Sequence, residues 1–335
     1  MPKLRLASVL LVLFLVTGAQ ARPTSGVWKS DCQCFRGVDW GSVSWIDRTY
    51  PIGRQKFRQD FDFWPAAKKA KNQPLIIWLH AGGGTKYIPV TSNPADPTLY
   101  DRIIVPARAA GYAVASLEYR HPVHNDDIVP TPHIDVGLAV QSIRDQSASL
   151  GIDRDNIFLM GGSQGTLVVW QGLQPDMKQP GAPGPAGQSS AVNAVYAYNA
   201  QATFRGQRIA DLFLVPEDRQ PFVDDWLNKH PQDALFGSSV DSVTAAAPPL
   251  MLKYERRYFG RLVLWDELSV HHPDFGLAVC AAYAAAGIPE RCQSFEQVPK
   301  LQDYEDAIAF FNLHRVTAPV AAAATRATTR AAPPR

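Results

Sequence analysis

Five short apolar runs mark out the chain, each bounded by glycine, proline or polar residues. They fall at 75–79 (LIIWL), 112–117 (YAVASL), 156–160 (NIFLM), 194–198 (AVYAY) and 250–254 (LMLKY). Runs of this length that stay apolar without alternation predict strands covered on both faces, as in a parallel sheet. Between them the period lengthens. Ile134, Val136, Leu138, Val140 and Ile143 line one broad face of a helix that ends before Gly151. A second helix is predicted over 275–286, closed by Gly287, and a last one over 303–314. Strand and helix alternate at a spacing that predicts the α/β class: a doubly wound, mostly parallel sheet with helices on both faces. Residues 200–249 hold short helical patterns and are expected to form a small cap insertion. Residues 175–188 are rich in proline and glycine and read as a surface loop.

The two ends fall outside this pattern. Lys3 and Arg5 precede an apolar run over 6–16, followed by Ala19-Gln20-Ala21. A positive start, an apolar stretch and a small-x-small site predict a signal peptide over 1–21. The run is shorter than the ~20 residues a membrane span needs. The mature chain is therefore expected to be secreted or periplasmic, with no stable membrane insertion. Residues 22–316 are expected to form the main domain. Residues 317–335 contain Ala, Thr, Pro, Val and Arg without periodicity, and read as a disordered basic tail.

Composition narrows the partners. Of 335 residues 46% are hydrophobic and 19% charged, a balance typical of a folded chain. Lys plus Arg number 33 against 31 Asp plus Glu, a net charge of +2. Without a basic block, nucleic acid is excluded as the main partner. Export gives the cysteines a role. Cys280 and Cys292 flank Gly287-Ile288-Pro289, a helix end followed by a strand start, and are expected to form a disulfide. Cys32 and Cys34 stand two apart, and no histidine sits at metal-ligand spacing from either pair.

One motif carries most of the chemistry. Gly161-Gly162-Ser163-Gln164-Gly165 ends the third apolar run and opens a helical pattern over 166–173. G-x-S-x-G alone is weak, but strand, sharp turn and helix in this order form a nucleophile elbow. The turn presents the Ser163 hydroxyl at the sheet's carboxyl edge and aims the Gln164 N–H where an oxyanion forms. Upstream, His80-Ala81-Gly82-Gly83-Gly84 ends the first run. Such a loop turns a backbone N–H to the same point, with Gly82 or Gly83 as the expected donor.

With these residues in view, the chain resembles the α/β-hydrolase superfamily of esterase/lipase type, close to the bacterial feruloyl-esterase-like (BD-FAE) group. The resemblance spans roughly residues 58–311. It rests on the two glycine motifs, Ser116-Leu117-Glu118-Tyr119-Arg120, Asp135, the 151–157 segment before the elbow, and 243–250. It implies hydrolysis of small or carbohydrate-linked carboxylic esters through a Ser–His–acid triad, without cofactor or metal. The family's acid follows the strand equivalent to 250–254, where the nearest carboxylate here is Glu255. Its histidine lies after the last strand, a stretch corresponding to 292–304 that holds no histidine here. His271 and His272 are the remaining candidates, with His272 the expected base. His121, His124 and His133 near Asp126 and Asp127 are weaker candidates, and a metal set is their other reading. The empty histidine position leaves a second function open: a hydrolase-fold protein that binds a carbohydrate or ester ligand without turning it over.

Overall fold

The computed structural model describes residues 45–49, 60–68, 70–80, 100–119, 130–163, 187–203, 239–255, 271–298 and 305–317. All of them lie in the larger of two units, Cys34–Arg335. Residues 1–21, expected as a signal peptide, most of the expected cap over 200–249 and the tail past Thr317 lie outside the described residues.

Eight strands form one sheet: β1 (Trp45–Thr49), β2 (Asp60–Trp64), β3 (Gln73–Leu79), β4 (Ala113–Leu117), β5 (Ile152–Gly162), β6 (Ala194–Tyr198), β7 (Leu250–Glu255) and β8 (Cys292–Val298). Their order is β1-β2-β4-β3-β5-β6-β7-β8. The β1–β2 and β2–β4 pairs are antiparallel and every other pair is parallel. Five described helices accompany the sheet: α1 (Val105–Ala109), α2 (Pro130–Asp145), α3 (Ser147–Leu150), α4 (Asp274–Ala285) and α5 (Glu305–Leu313). A π-helical turn, Tyr100–Ile104, leads into α1.

The apolar runs are continuous because both sheet faces are covered. Leu75, Ile77 and Leu79 of β3 with Ile157 and Leu159 of β5 face one core, built with Val136, Leu138 and Val140 of α2 and Phe275 and Val279 of α4. Ile76, Trp78, Phe158 and Met160 face the other, built with Ile103, Ile104 and Ala107 around α1 and Phe310 and Phe311 of α5. The period of two sends neighbouring residues to opposite cores.

Several turns follow from single residues. Gly151 takes φ +69° and closes α3, so the chain turns into β5. Gly287 takes φ +78° after α4, and Ile288 N–H reaches back to the Tyr283 carbonyl at 3.0 Å. This is the left-handed helix stop that glycine favours. At the start of β5's parallel run, Asn156 clasps the chain after α5. Its Nδ2 donates to the Val316 carbonyl (2.9 Å), and its Oδ1 accepts from Val316 N–H (2.8 Å). The expected disulfide is present: Cys280 of α4 and Cys292 of β8 are bonded, with Cα atoms 5.2 Å apart.

Candidate active site

Ser163 follows β5 directly and holds φ +53°. A non-glycine residue in this region costs on the order of 1–3 kcal/mol, and such strain clusters at functional turns. The residue before it must be glycine. A Cβ on Gly162 would lie 2.1 Å from the Tyr198 ring of β6. The strand end therefore passes against an aromatic ring and ends on the strained serine. Gln164 and the expected helix over 166–173 lie outside the described residues.

Across from the serine stands His271, whose Nε2 is 2.7 Å from Ser163 Oγ. With the ring proton on Nδ1, the hydroxyl donates to Nε2, the arrangement a general base requires. His271 is 6% exposed, so the contact is made in a largely water-free position. His271, His272 and Pro273 lead straight into α4, which is fixed against the sheet in two ways and to the histidine segment in a third. Gly276 permits close approach, because a Cβ there would lie 2.4 Å from Ser294 Oγ and 2.5 Å from the Tyr254 ring. The Cys280–Cys292 bond ties α4 to β8. Gly276 N–H donates to the Pro273 carbonyl at 2.8 Å, joining the histidine segment to the first helical turn.

His272, the expected base, faces Asp274 and not the serine. Its Nδ1 lies 3.4 Å from Asp274 Oδ2 and accepts the Asp274 N–H at 3.3 Å. It acts as a cap on α4, whose first N–H groups lack intrahelical partners. The ring brought to the serine is its neighbour's. Of the 292–304 stretch, which holds no histidine, 292–298 is β8 itself.

Glu255 is the last residue of β7. Gly162 is level with Tyr198 and Tyr198 with Lys253, so Glu255 sits at the same edge two strands from the serine. At the usual strand spacing that is roughly 10 Å across the sheet. Sequence reasoning overlooked Asn199, which holds φ +47° just after β6. Its Oδ1 accepts Glu255 N–H at 3.1 Å, and its own N–H donates to the Lys253 carbonyl at 2.8 Å. Asn199 thereby locks the ends of β6 and β7. An Asn directly after an apolar run is the signal that was available, since Asn tolerates this conformation. Next to it, Tyr254 donates to the Ala200 carbonyl at 2.9 Å. Burial, with Glu296 as the lesser cause, pushes the Tyr254 hydroxyl far above its ordinary range, so it remains a neutral donor.

His80 follows β3 directly and is buried. Gly82 and Gly83 lie outside the described residues. So do His121, His124, Asp126, Asp127 and the side chain of His133. Among the described residues no three His, Cys, Asp or Glu side chains gather as a metal set.

The sequence profile of the BD-FAE family matches residues 61–252. No curated protein sequence matches the chain. Among solved structures, a bifunctional GH43-CE protein of Bacteroides eggerthii is similar at 16% identity and TM-score 0.58, over 81% of this chain and 38% of that one. The chain thus spans well under half of that protein's length. A truncated carbohydrate esterase from gut microbiota is similar at 17% identity and TM-score 0.56, over 82% of this chain and 97% of that one. Thermogutta terrifontis esterase 2, phosphoramylated by tabun, is similar at 17% identity and TM-score 0.53, over 78% and 91% of the two chains. These likenesses establish the α/β-hydrolase fold.

Proposed function

The chain belongs to the BD-FAE family, and from that premise we propose that it is a serine carboxylesterase whose base is His271. The observation that carries the reading is the 2.7 Å contact between Ser163 Oγ and His271 Nε2, made by a serine at φ +53°. His271 takes the hydroxyl proton as Ser163 Oγ attacks the ester carbonyl. The tetrahedral oxyanion accepts hydrogen bonds from Gln164 N–H and from Gly82 or Gly83 N–H. The alcohol leaves with the proton held by His271. Water then attacks the acyl-enzyme, with His271 again as base, and releases the acid. Glu255 is the proposed acid that orients the imidazole; its place at the end of β7 supports this role.

The substrate class is an ester of a small or carbohydrate-linked alcohol. Its support is the carbohydrate esterase of the same fold from gut microbiota. Export is proposed with it: the sequence of residues 1–21 and the Cys280–Cys292 bond fit an oxidising compartment. Among the described residues no helix is long and apolar enough to cross a membrane.

Labelling with a fluorophosphonate tests the mechanism, since an esterase of this fold is itself phosphoramylated by tabun. The wild type is expected to label and to hydrolyse p-nitrophenyl acetate. Ser163→Ala abolishes both. His271→Ala lowers kcat by about 10³-fold or more, while His272→Ala costs less than tenfold. Equal losses at the two histidines would remove His271 as the base. A folded wild type that does not label would move the protein to the ligand-binding reading.

A further inference from the structure

We propose that His80, Glu118 and Tyr119 form a positioning clamp that fixes where the chain leaves β3 beside Ser163, and so sets the backbone donors for the oxyanion. The clamp rests on the esterase reading above. His80 follows β3 directly and is 4% exposed; Glu118 and Tyr119 follow β4 directly and are 0% exposed. β3 lies between β4 and β5. Leu79 is level with Leu117 on one side and with Gly161 on the other. His80 is thus level with Glu118 on one flank and with Gly162, the residue before the nucleophile, on the other.

Three contacts hold it from the β4 side. His80 Nε2 lies 3.5 Å from Glu118 Oε1. The His80 ring stacks on Tyr119, with centroids 4.4 Å apart and planes 10° from parallel. The Tyr119 hydroxyl donates to the His80 carbonyl oxygen at 2.7 Å. Ring and carbonyl are therefore gripped by two consecutive residues of one strand end. The carbonyl grip reaches further than His80. The peptide group is planar, so fixing this oxygen fixes the plane that contains the Ala81 N–H. That plane is where Ala81-Gly82-Gly83-Gly84 begins, and glycines have little steric means of holding a direction themselves.

Stability alone does not call for this trio. A carboxylate and a phenol are costly to bury, and apolar residues of like volume pack a strand end as well or better. What polar partners add is orientation. Burial, reinforced by the Glu118 charge, pushes the Tyr119 hydroxyl far above its ordinary range. It stays protonated and keeps donating across the working pH range of an esterase.

The test uses the full chain, with Tyr119→Phe, Glu118→Gln and the double variant, assayed below each variant's melting temperature. Hydrolysis of p-nitrophenyl acetate is measured beside inhibition by phenylboronic acid, which forms a tetrahedral adduct on a reactive serine. Each single variant is expected to lower kcat by about 10- to 100-fold, the cost of misplacing an oxyanion donor. KM stays within about twofold, and boronic acid inhibition weakens by the same factor as kcat. The double variant falls little below the worse single one, because both act through His80. Variants that keep kcat within twofold of an active wild type overturn the clamp and leave the esterase reading standing. So does a loss confined to KM with boronic acid inhibition unchanged. If Glu118→Gln does not fold, Tyr119→Phe, which removes one hydroxyl, decides alone. A folded wild type that neither turns over the ester nor binds the boronic acid overturns the esterase reading and the clamp with it.

Discussion

Gly162 and Ser163 divide the demands of one turn. Gly162 supplies the space that Tyr198 needs, and Ser163 takes the strained backbone. Gly162→Ala is expected to destabilise by about 1–3 kcal/mol through overpacking and to lower activity as the elbow shifts; urea denaturation and ester turnover check both. This pair was legible in sequence, because a short motif states the turn's chemistry. The base was not. His271 and His272 are chemically identical neighbours, and the choice between them is one residue of register at the start of α4, which no residue type encodes. A histidine far from the site offers a separate test. His314 packs edge-on to Phe310, with centroids 4.7 Å apart, and burial lowers its pKa from the ordinary 6.5. The folded state then binds this proton less readily than the unfolded one, so stability rises with pH across this window. The melting temperature should fall as pH drops from 7 to 5.5, and His314→Gln should flatten that fall.

The element that matters most to the site is α4. Its start carries the proposed base, its first turn lies on Tyr254 and Ser294, and its middle is bonded to β8. Replacing Cys280 and Cys292 by serine should cost about 2–3 kcal/mol, the loop-closure value for a short loop. Because the loosened helix carries His271, kcat should fall while KM holds. Calorimetry and steady-state kinetics measure the two effects. The elements differ in how plainly the sequence announced them. The central strands β3 to β7 read as apolar runs because helices cover both faces. The outer strands β1 and β2 did not, and of β8 only the start at Cys292 did. WIDRT, DFDFW and CQSFEQV carry polar or charged residues along the strand, so no continuous apolar run marks them. β5 also begins earlier than its apolar run, at Ile152, where an irregularity between Gln73 and Leu75 absorbs the polar residues.

For the whole molecule, the two cores on either side of the sheet determine how damage spreads. Leu159 lies in the core shared by α2 and α4, four residues from Ser163. Leu159→Ala should cost about 2–5 kcal/mol. Urea titration followed by fluorophosphonate labelling would show stability and serine reactivity falling together. The fold class and Ser163 were legible at this scale because periodicity and one motif are local. The pairing of Ser163 with a histidine 108 residues later is topological. It depends on β5, β6 and β7 ending at one edge and on α4 returning there. The family match stops at residue 252, short of that returning segment.

The Asn156–Val316 clasp bears on how the protein can be handled. Asn156 and Ser163 stand at opposite ends of one straight strand segment, about 20 Å apart at the usual rise per residue. A linker attached after Val316 leaves from the pole opposite the serine. Immobilised on a bead or fused to a carrier at that point, the protein would hold the Ser163 end of β5 away from the support.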